Sequence, residues 1–178
     1  EKDFEVIVMD NGGDLSWLKQ HINEFSFGLC GIELELNFGP SPARNIGIEF
    51  AKAKYAAFLD DDAVADNNLV RKIVEHFENY NISGLRGKVL PKTQTDLQSI
   101  PVNYDLGDQI INTACEVSSL SAFRKDVLVE MRGFDELLFG SEGMDLSYRI
   151  CKAQKEKVKS ILYFPDVIVY HHRRSLFL

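Results

Sequence analysis

Cysteine, long apolar runs and excess positive charge are what this 178-residue sequence has least of. Its three cysteines, Cys30, Cys115 and Cys151, stand far apart with no CxxC or Cys/His pairing. That argues against a disulfide framework or a zinc finger and suits a reducing cytoplasm. No apolar stretch approaches the roughly 20 residues of a membrane span, and no signal-peptide pattern opens the chain. Peripheral association with the inner face of a membrane would therefore have to come through flanking regions. With 20 Lys and Arg against 27 Asp and Glu, the net charge is −7, which argues against nucleic acid as partner because polyanion binders need a basic face. A small diphosphate is not excluded, since one metal ion and one or two arginines can neutralise it locally. Internal repeats and low-complexity segments are also missing.

What is present is a 45% hydrophobic, 26% charged composition, that of a globular domain. The length suits one core and is short for two, so residues 1–178 are read as a single domain. Phe4 to Met9 is an apolar, β-branched run that ends at Asp10-Asn11-Gly12-Gly13, a strand entering a loop. Asp14 can cap a helix carrying Leu15, Leu18, Ile22 and Phe25. Ile32 to Leu36 alternates as a strand. Ser41-Pro42 then opens a helix with Ile46, Phe50 and Ala53 on one face. Tyr55 to Leu59 is the next strand, and Asp66 precedes a helix whose predicted inner face is Leu69, Val70, Ile73, Val74 and Phe77.

From Gly84 the pattern predicts a strand over Leu85 to Leu90 and a long polar stretch to about Gly107, read as a functional loop or flap. Strands follow near Ile110 to Val117 and Leu120 to Phe123. A helix from about Glu142 to Gln154 turns Leu146, Ile150 and Ala153 inward, and a final strand runs from Val167 to Tyr170. Strands alternating with helices predict an α/β fold whose central sheet is mixed and mainly parallel, flanked by helices.

Asp60, Asp61 and Asp62 close an apolar strand at the sheet edge where open α/β folds bind ligands. Three adjacent carboxylates repel one another unless compensated, and oxygen clusters of this kind suit magnesium or manganese. A polar turn with a helix cap would explain one or two of them. Pro42-Ala43-Arg44-Asn45-Ile46-Gly47 sits at a helix start, where free N–H groups favour an anion and Arg44 offers a forked donor. Glu142 and Asp145 lie three residues apart and so share a helix face. Either can serve as general base, or both can merely favour the helix dipole. His171 and His172 end a strand with side chains on opposite faces, so at most one can join the aspartates as a third ligand.

In chain order, EVIVMDNGG, PARNIGIEFAKAKYAAFLDDD, LSAFRKDVLVEMRGFDE, EGMDLSYRI and VIVYHHRR resemble the inverting glycosyltransferases of family 2, which have the GT-A fold. The resemblance implies a role for each matched residue. Asp10 would read the donor base, uracil by expectation. Arg44 would contact base or phosphates, with Asn45 and Asp61 beside them, and Asp60 would hold the ribose. Asp62 and His171 would ligate Mn or Mg, and the donor would be a UDP-sugar. Ser118 to Arg124, with Phe134-Asp135, would line the donor-sugar and acceptor sites, the acceptor being a glycan, a lipid-linked sugar or another hydroxyl. Two departures stand out. The family's opening strand, with a Pro-Val-Tyr-Asn-like motif, and its following helix precede the equivalent of Phe4 to Met9, so the chain is expected to be N-terminally truncated. The family's usual Glu-Asp pair reads Glu142-Gly143, which leaves Glu142, or Asp145, as the base.

Two other readings compete. Phe58-Leu59-Asp60-Asp61-Asp62-Ala63-Val64 also fits a haloacid-dehalogenase-type phosphohydrolase, with Asp60 as nucleophile and Asp62 as acid/base. Gly143 and the absent opening strand also allow a non-catalytic module that binds nucleotide sugars or glycans.

Overall fold

The computed structural model describes residues 4–93, 101–115, 120–138, 140–153 and 160–171. Strand β1 (Glu5–Asn11) is followed by helix α1 (Ser16–His21) and strand β2 (Gly28–Leu34), which pairs parallel to β1 in a two-stranded sheet of its own. Asp14 does not cap α1 as expected: the N-cap is Leu15, with no side-chain cap hydrogen bond, and the Asp14 carboxylate accepts from the Ser16 N–H at 2.7 Å just before it. The helix is shorter than its periodicity suggests, with Ile22–Glu24 in a 3-10 turn. Helix α2 (Pro40–Phe50) packs on β1 and leads to β3 (Tyr55–Leu59) and the short β4 (Ala63–Ala65). The interior face of α2 is Ser41, Ala43 and Ile48. The expected stripe of Ile46, Phe50 and Ala53 is not, for Phe50 and Ala53 are exposed because α2 ends at Phe50.

Helix α3 (Leu69–Asn79) buries Leu69, Ile73, His76 and Phe77. Val70 and Val74 face outward instead. The stripe follows the i, i+4, i+8 row and takes in a histidine that apolar periodicity passes over. Next come β5 (Gly84–Pro91), the two-residue β6 (Ile111–Asn112), β7 (Leu120–Arg124), α4 (Lys125–Glu130), α5 (Glu142–Ala153) and β8 (Ile161–His171). The strand expected to reach Val117 stops at Asn112, because the Cys115 N–H is taken by the Ser147 hydroxyl at 2.9 Å; residues 116–119 lie outside the described residues. Ala153, expected to face inward from α5, is exposed at the helix end.

The second sheet has the order β3-β7-β5-β8-β4, with β6 also on β8. The sheet is mixed, as expected. Its balance is not, for among the described residues only the β5–β8 pair in it is parallel, while β3–β7, β5–β7, β4–β8 and β6–β8 are antiparallel. Apolar strand runs signal burial on both faces and carry no information on strand direction. Alternation along β7 and β8 divides the core. Leu120, Ala122, Leu162 and Phe164 pack with α3, and Phe123 and Ile161 pack with α4 and α5, so helices cover both faces.

Strand β8 begins six residues before the predicted Val167. Pro165 suggests a break, since it cannot donate to a ladder. Here the β5 register slips between Gly87 and Lys88 opposite Phe164 and Ile168, and Pro165 and Asp166 fall in that bulge. The bulge aims Asp166 at α3, where it accepts from His76 Nε2 at 2.7 Å and meets Lys72 Nζ at 3.1 Å. Burial pushes the Asp166 carboxyl up, but hydrogen bonds from His76 and Lys72 and their charges outweigh it and hold it below the ordinary 3.8. The folded value is thus below the unfolded one, so the stability it contributes is present above pH 3.8 and is lost as pH falls through the lower folded value. Urea midpoints measured from pH 7 down to 2 should accordingly show a shallower acid limb below pH 3.8 in Asp166→Asn than in the parent.

Candidate active site

The site is built where α2, the β3–β4 turn, the end of β8 and the start of α5 meet. Strand β3 ends at Leu59, and the Ala63 N–H closes a turn on the Asp60 carbonyl at 3.1 Å. That turn holds Asp60, Asp61 and Asp62. Ala63 then pairs with His171 across β4–β8, which sets the last described residue of β8 beside the turn. As a result one ligand atom each from Asp60, Asp62 and His171 lies within 4.8 Å of the others, and His171 Nε2 is 3.2 Å from Asp62 Oδ1. Asp61 is exposed on the same turn. His172 lies outside the described residues. Two carboxylates and an imidazole make a donor set that fits a divalent ion, the oxygens suiting magnesium or manganese and the nitrogen favouring a transition metal.

Arg44, in the first half of α2, reaches two parts of the site. Its Nη1 donates to Glu142 Oε1 at 2.6 Å, and its Nη2 is 3.9 Å from Asp60 Oδ1. The guanidinium carbon lies 5.8 Å from the centre of the Phe134 ring. Glu142 is thereby bound to a residue 98 positions away. Asp145 is engaged elsewhere, accepting from Arg149 Nε at 2.7 Å. The rest of that guanidinium donates to the Met131 and Gly133 carbonyls at 2.6 and 2.9 Å. Arg44 thus links Glu142 to the aspartate turn, whereas Asp145 is part of a support for the turn after α4.

Asn45, expected beside the nucleotide, has its amide committed. Its Oδ1 accepts from the Phe134 N–H at 2.8 Å, and its Nδ2 donates to the Phe134 carbonyl and to Glu136 Oε1, both at 2.9 Å. The amide is a clamp that fixes the Gly133–Phe134 turn to α2. Gly133 has φ +67, and a Cβ there would stand 2.3 Å from Asn45 Oδ1. Gly133→Ala should therefore lower stability by more than about 1 kcal/mol, from strain and from the lost clamp together. The shift of a urea unfolding midpoint at constant slope checks it.

Asp10 lies at the C-terminal end of β1, just before Asn11. Its Oδ1 accepts from the Gly13 N–H at 2.7 Å, while its Oδ2 is buried with no hydrogen-bond partner. An orphaned carboxylate oxygen of that kind awaits a donor. Beside it, Asn11 ties the strand end to the loop before α2, donating to the Gly39 carbonyl at 2.9 Å and accepting from the Phe38 N–H at 2.9 Å. Gly12 is required there, because at φ +92 a Cβ would come within 2.7 Å of the Asn37 nitrogen. Asn11, Glu136 and Tyr104 were not singled out from the sequence. Tyr104 sets its ring against His171, centroids 6.1 Å apart at 74°. It lies in the described end of the polar stretch, near which two buried cations of β5 find their partners. Arg86 donates to the Asn103 and Ala114 carbonyls at 2.5 and 3.3 Å, and Lys88 pairs with Asp108 and Asp105 at 2.8 and 3.1 Å. Residues 94–100 and Ser118, expected near the site, lie outside the described residues.

Residues 1–131 match the family model "Glycosyl transferase family 2". The chain belongs to that family. It is 24% identical, over 184 aligned residues, to the pre-mycofactocin glycosyltransferase of Mycobacterium tuberculosis in strains CDC 1551 / Oshkosh and ATCC 25618 / H37Rv, covering 96% of this chain and 38% of that protein. Among solved structures it resembles TarS of S. aureus, residues 1–349 in complex with UDP-GlcNAc, with a TM-score of 0.75 at 17% identity, over 99% of this chain and 55% of that 1–349 chain. GalNAc-T7 with UDP, GalNAc and Mn2+ gives 0.73 at 16% identity, over 96% of this chain and 38% of that one. The family 2 chain thus has the GT-A fold of these enzymes and spans well under half of the curated relatives. Family 2 membership also displaces the dehalogenase-type phosphohydrolase as an alternative. Among the described residues no helix is long and apolar enough to cross a membrane.

Proposed function

We propose that the chain forms the donor-binding and catalytic core of an inverting, metal-dependent glycosyltransferase that takes a UDP-sugar and transfers its sugar to a glycan or lipid-linked acceptor hydroxyl, in the cytoplasm or at the inner membrane face. The observation that carries this reading is the convergence of Asp60, Asp62 and His171 beside an arginine. Asp62 and His171 would hold Mn2+ or Mg2+, with Asp60 at the ribose, Asp61 at the turn's outer edge and Arg44 within reach of the diphosphate. A divalent ion held there neutralises the charge that builds on the leaving diphosphate. The buried Asp10 Oδ2 suits the N3–H of uracil. The nucleotides in the TarS and GalNAc-T7 structures support a UDP donor. Glu142 is the proposed base. At the start of α5 and joined through Arg44 to Asp60, it would take the acceptor proton as the hydroxyl attacks the anomeric carbon in line.

The test is metal-dependent thermal stabilisation by a panel of nucleotide sugars. UDP and a UDP-sugar with Mn2+ should raise the midpoint, by an amount that corresponds to about 2.7 kcal/mol at a hundred times Kd, and EDTA should remove the effect. Stabilisation that ignores metal, or that favours a purine nucleotide, would overturn the assignment. A binding module without transfer is the second reading, favoured by Gly143 standing where the family has an acid. It predicts the same stabilisation with no sugar transferred.

A further inference from the structure

Resting on the donor and base assignments above, the geometry points to an exchange. We propose that Arg44 is a positioning residue held by Glu142 before the donor arrives and transferred to the donor's diphosphate when it binds, so that the carboxylate oxygen it occupies is freed in the donor complex. Arg44 is much nearer the base, at 2.6 Å, than the aspartate cluster, at 3.9 Å. Both members of the close pair are largely buried, the side chains 19% and 13% exposed, so the contact is not a passing surface encounter. The neighbouring Asn45 is locked to the Phe134 backbone, which fixes where the Arg44 side chain starts. Rotation about its own bonds is the motion left to it.

A diphosphate offers more charge and a forked match to guanidinium, so it can win the arginine from a single carboxylate. While Glu142 Oε1 accepts from Arg44, that lone pair cannot take a proton from an acceptor hydroxyl. Once Arg44 turns away, it can. The exchange couples donor binding to the freeing of that oxygen for the acceptor. It also reduces donor affinity, since only the population with Arg44 released binds fully.

The experiment is a cycle of four proteins, the parent, Glu142→Gln, Arg44→Ala and the double variant, titrated calorimetrically with UDP in Mn2+. In the parent background Glu142→Gln should tighten UDP roughly three- to tenfold while slightly lowering the thermal midpoint, because it frees the arginine but loses an ion pair. In the Arg44→Ala background Glu142→Gln should change UDP affinity little. The exchange is overturned if Glu142→Gln leaves affinity unchanged or weakens it. It is equally overturned if the gain is as large without Arg44, since that outcome is simple removal of negative charge. A parent that binds no UDP in Mn2+ overturns the donor assignment itself, and with it the exchange.

Discussion

Glu142→Gln should lower sugar transfer by roughly two to four orders of magnitude without loss of UDP binding, measured as turnover with donor and acceptor both saturating. Gln keeps the shape but has no carboxylate to take a proton or to pair with Arg44. The contrast is Asp145→Asn. Asp145 is bound to Arg149, whose guanidinium also holds the Met131 and Gly133 carbonyls, so its loss should appear in the thermal midpoint before it appears in turnover. If Glu142→Gln stays active while Asp145→Asn is dead in a folded protein, the two roles are reversed. If both remain active, the base lies outside α5.

Asp62→Asn should remove metal-dependent UDP binding almost wholly. Losing a residue that merely supports a metal ligand costs roughly 10- to 100-fold in metal affinity, and Asp62 would contribute a ligand oxygen, 3.2 Å from His171 Nε2, so the loss should reach or pass the upper end. The measurement is Mn2+ affinity with and without UDP, by calorimetry, on a variant whose unfolding midpoint matches the parent's. Retention of parent-like affinity would remove Asp62 from the metal set and leave His171 and Asp60 without their common neighbour.

The acidic turn was legible because three carboxylates at the end of an apolar strand have few physical explanations, and the first strand–helix alternation because Gly, Pro and Asp punctuate the apolar runs, although the inner faces of α2 and α3 were not. Other features were hidden for identifiable reasons. Pro165 masks the first half of β8, since a proline in a strand reads as its end unless a bulge absorbs it. His76 and Ser41 are interior positions that apolar patterning cannot register. The commitment of Asn45 to Phe134 depends on a partner 89 positions away, and no local window contains it. The Arg44–Glu142 pair is of the same kind: each residue was visible alone as a charge at a helix start, and only the fold brings the two together.

Strand β8 has a consequence for how the molecule comes into being. Its partners β4, β5 and β6 all lie well upstream, so the sheet centre closes only after long loops have been drawn together, the slow step in chains of high contact order. The aspartates of the β3–β4 turn are made early in synthesis, and His171 joins them only when β8 has zipped against β4. A nascent or half-folded chain therefore carries the acids without their imidazole, and on the proposed reading selective ion capture would be reserved for the finished protein.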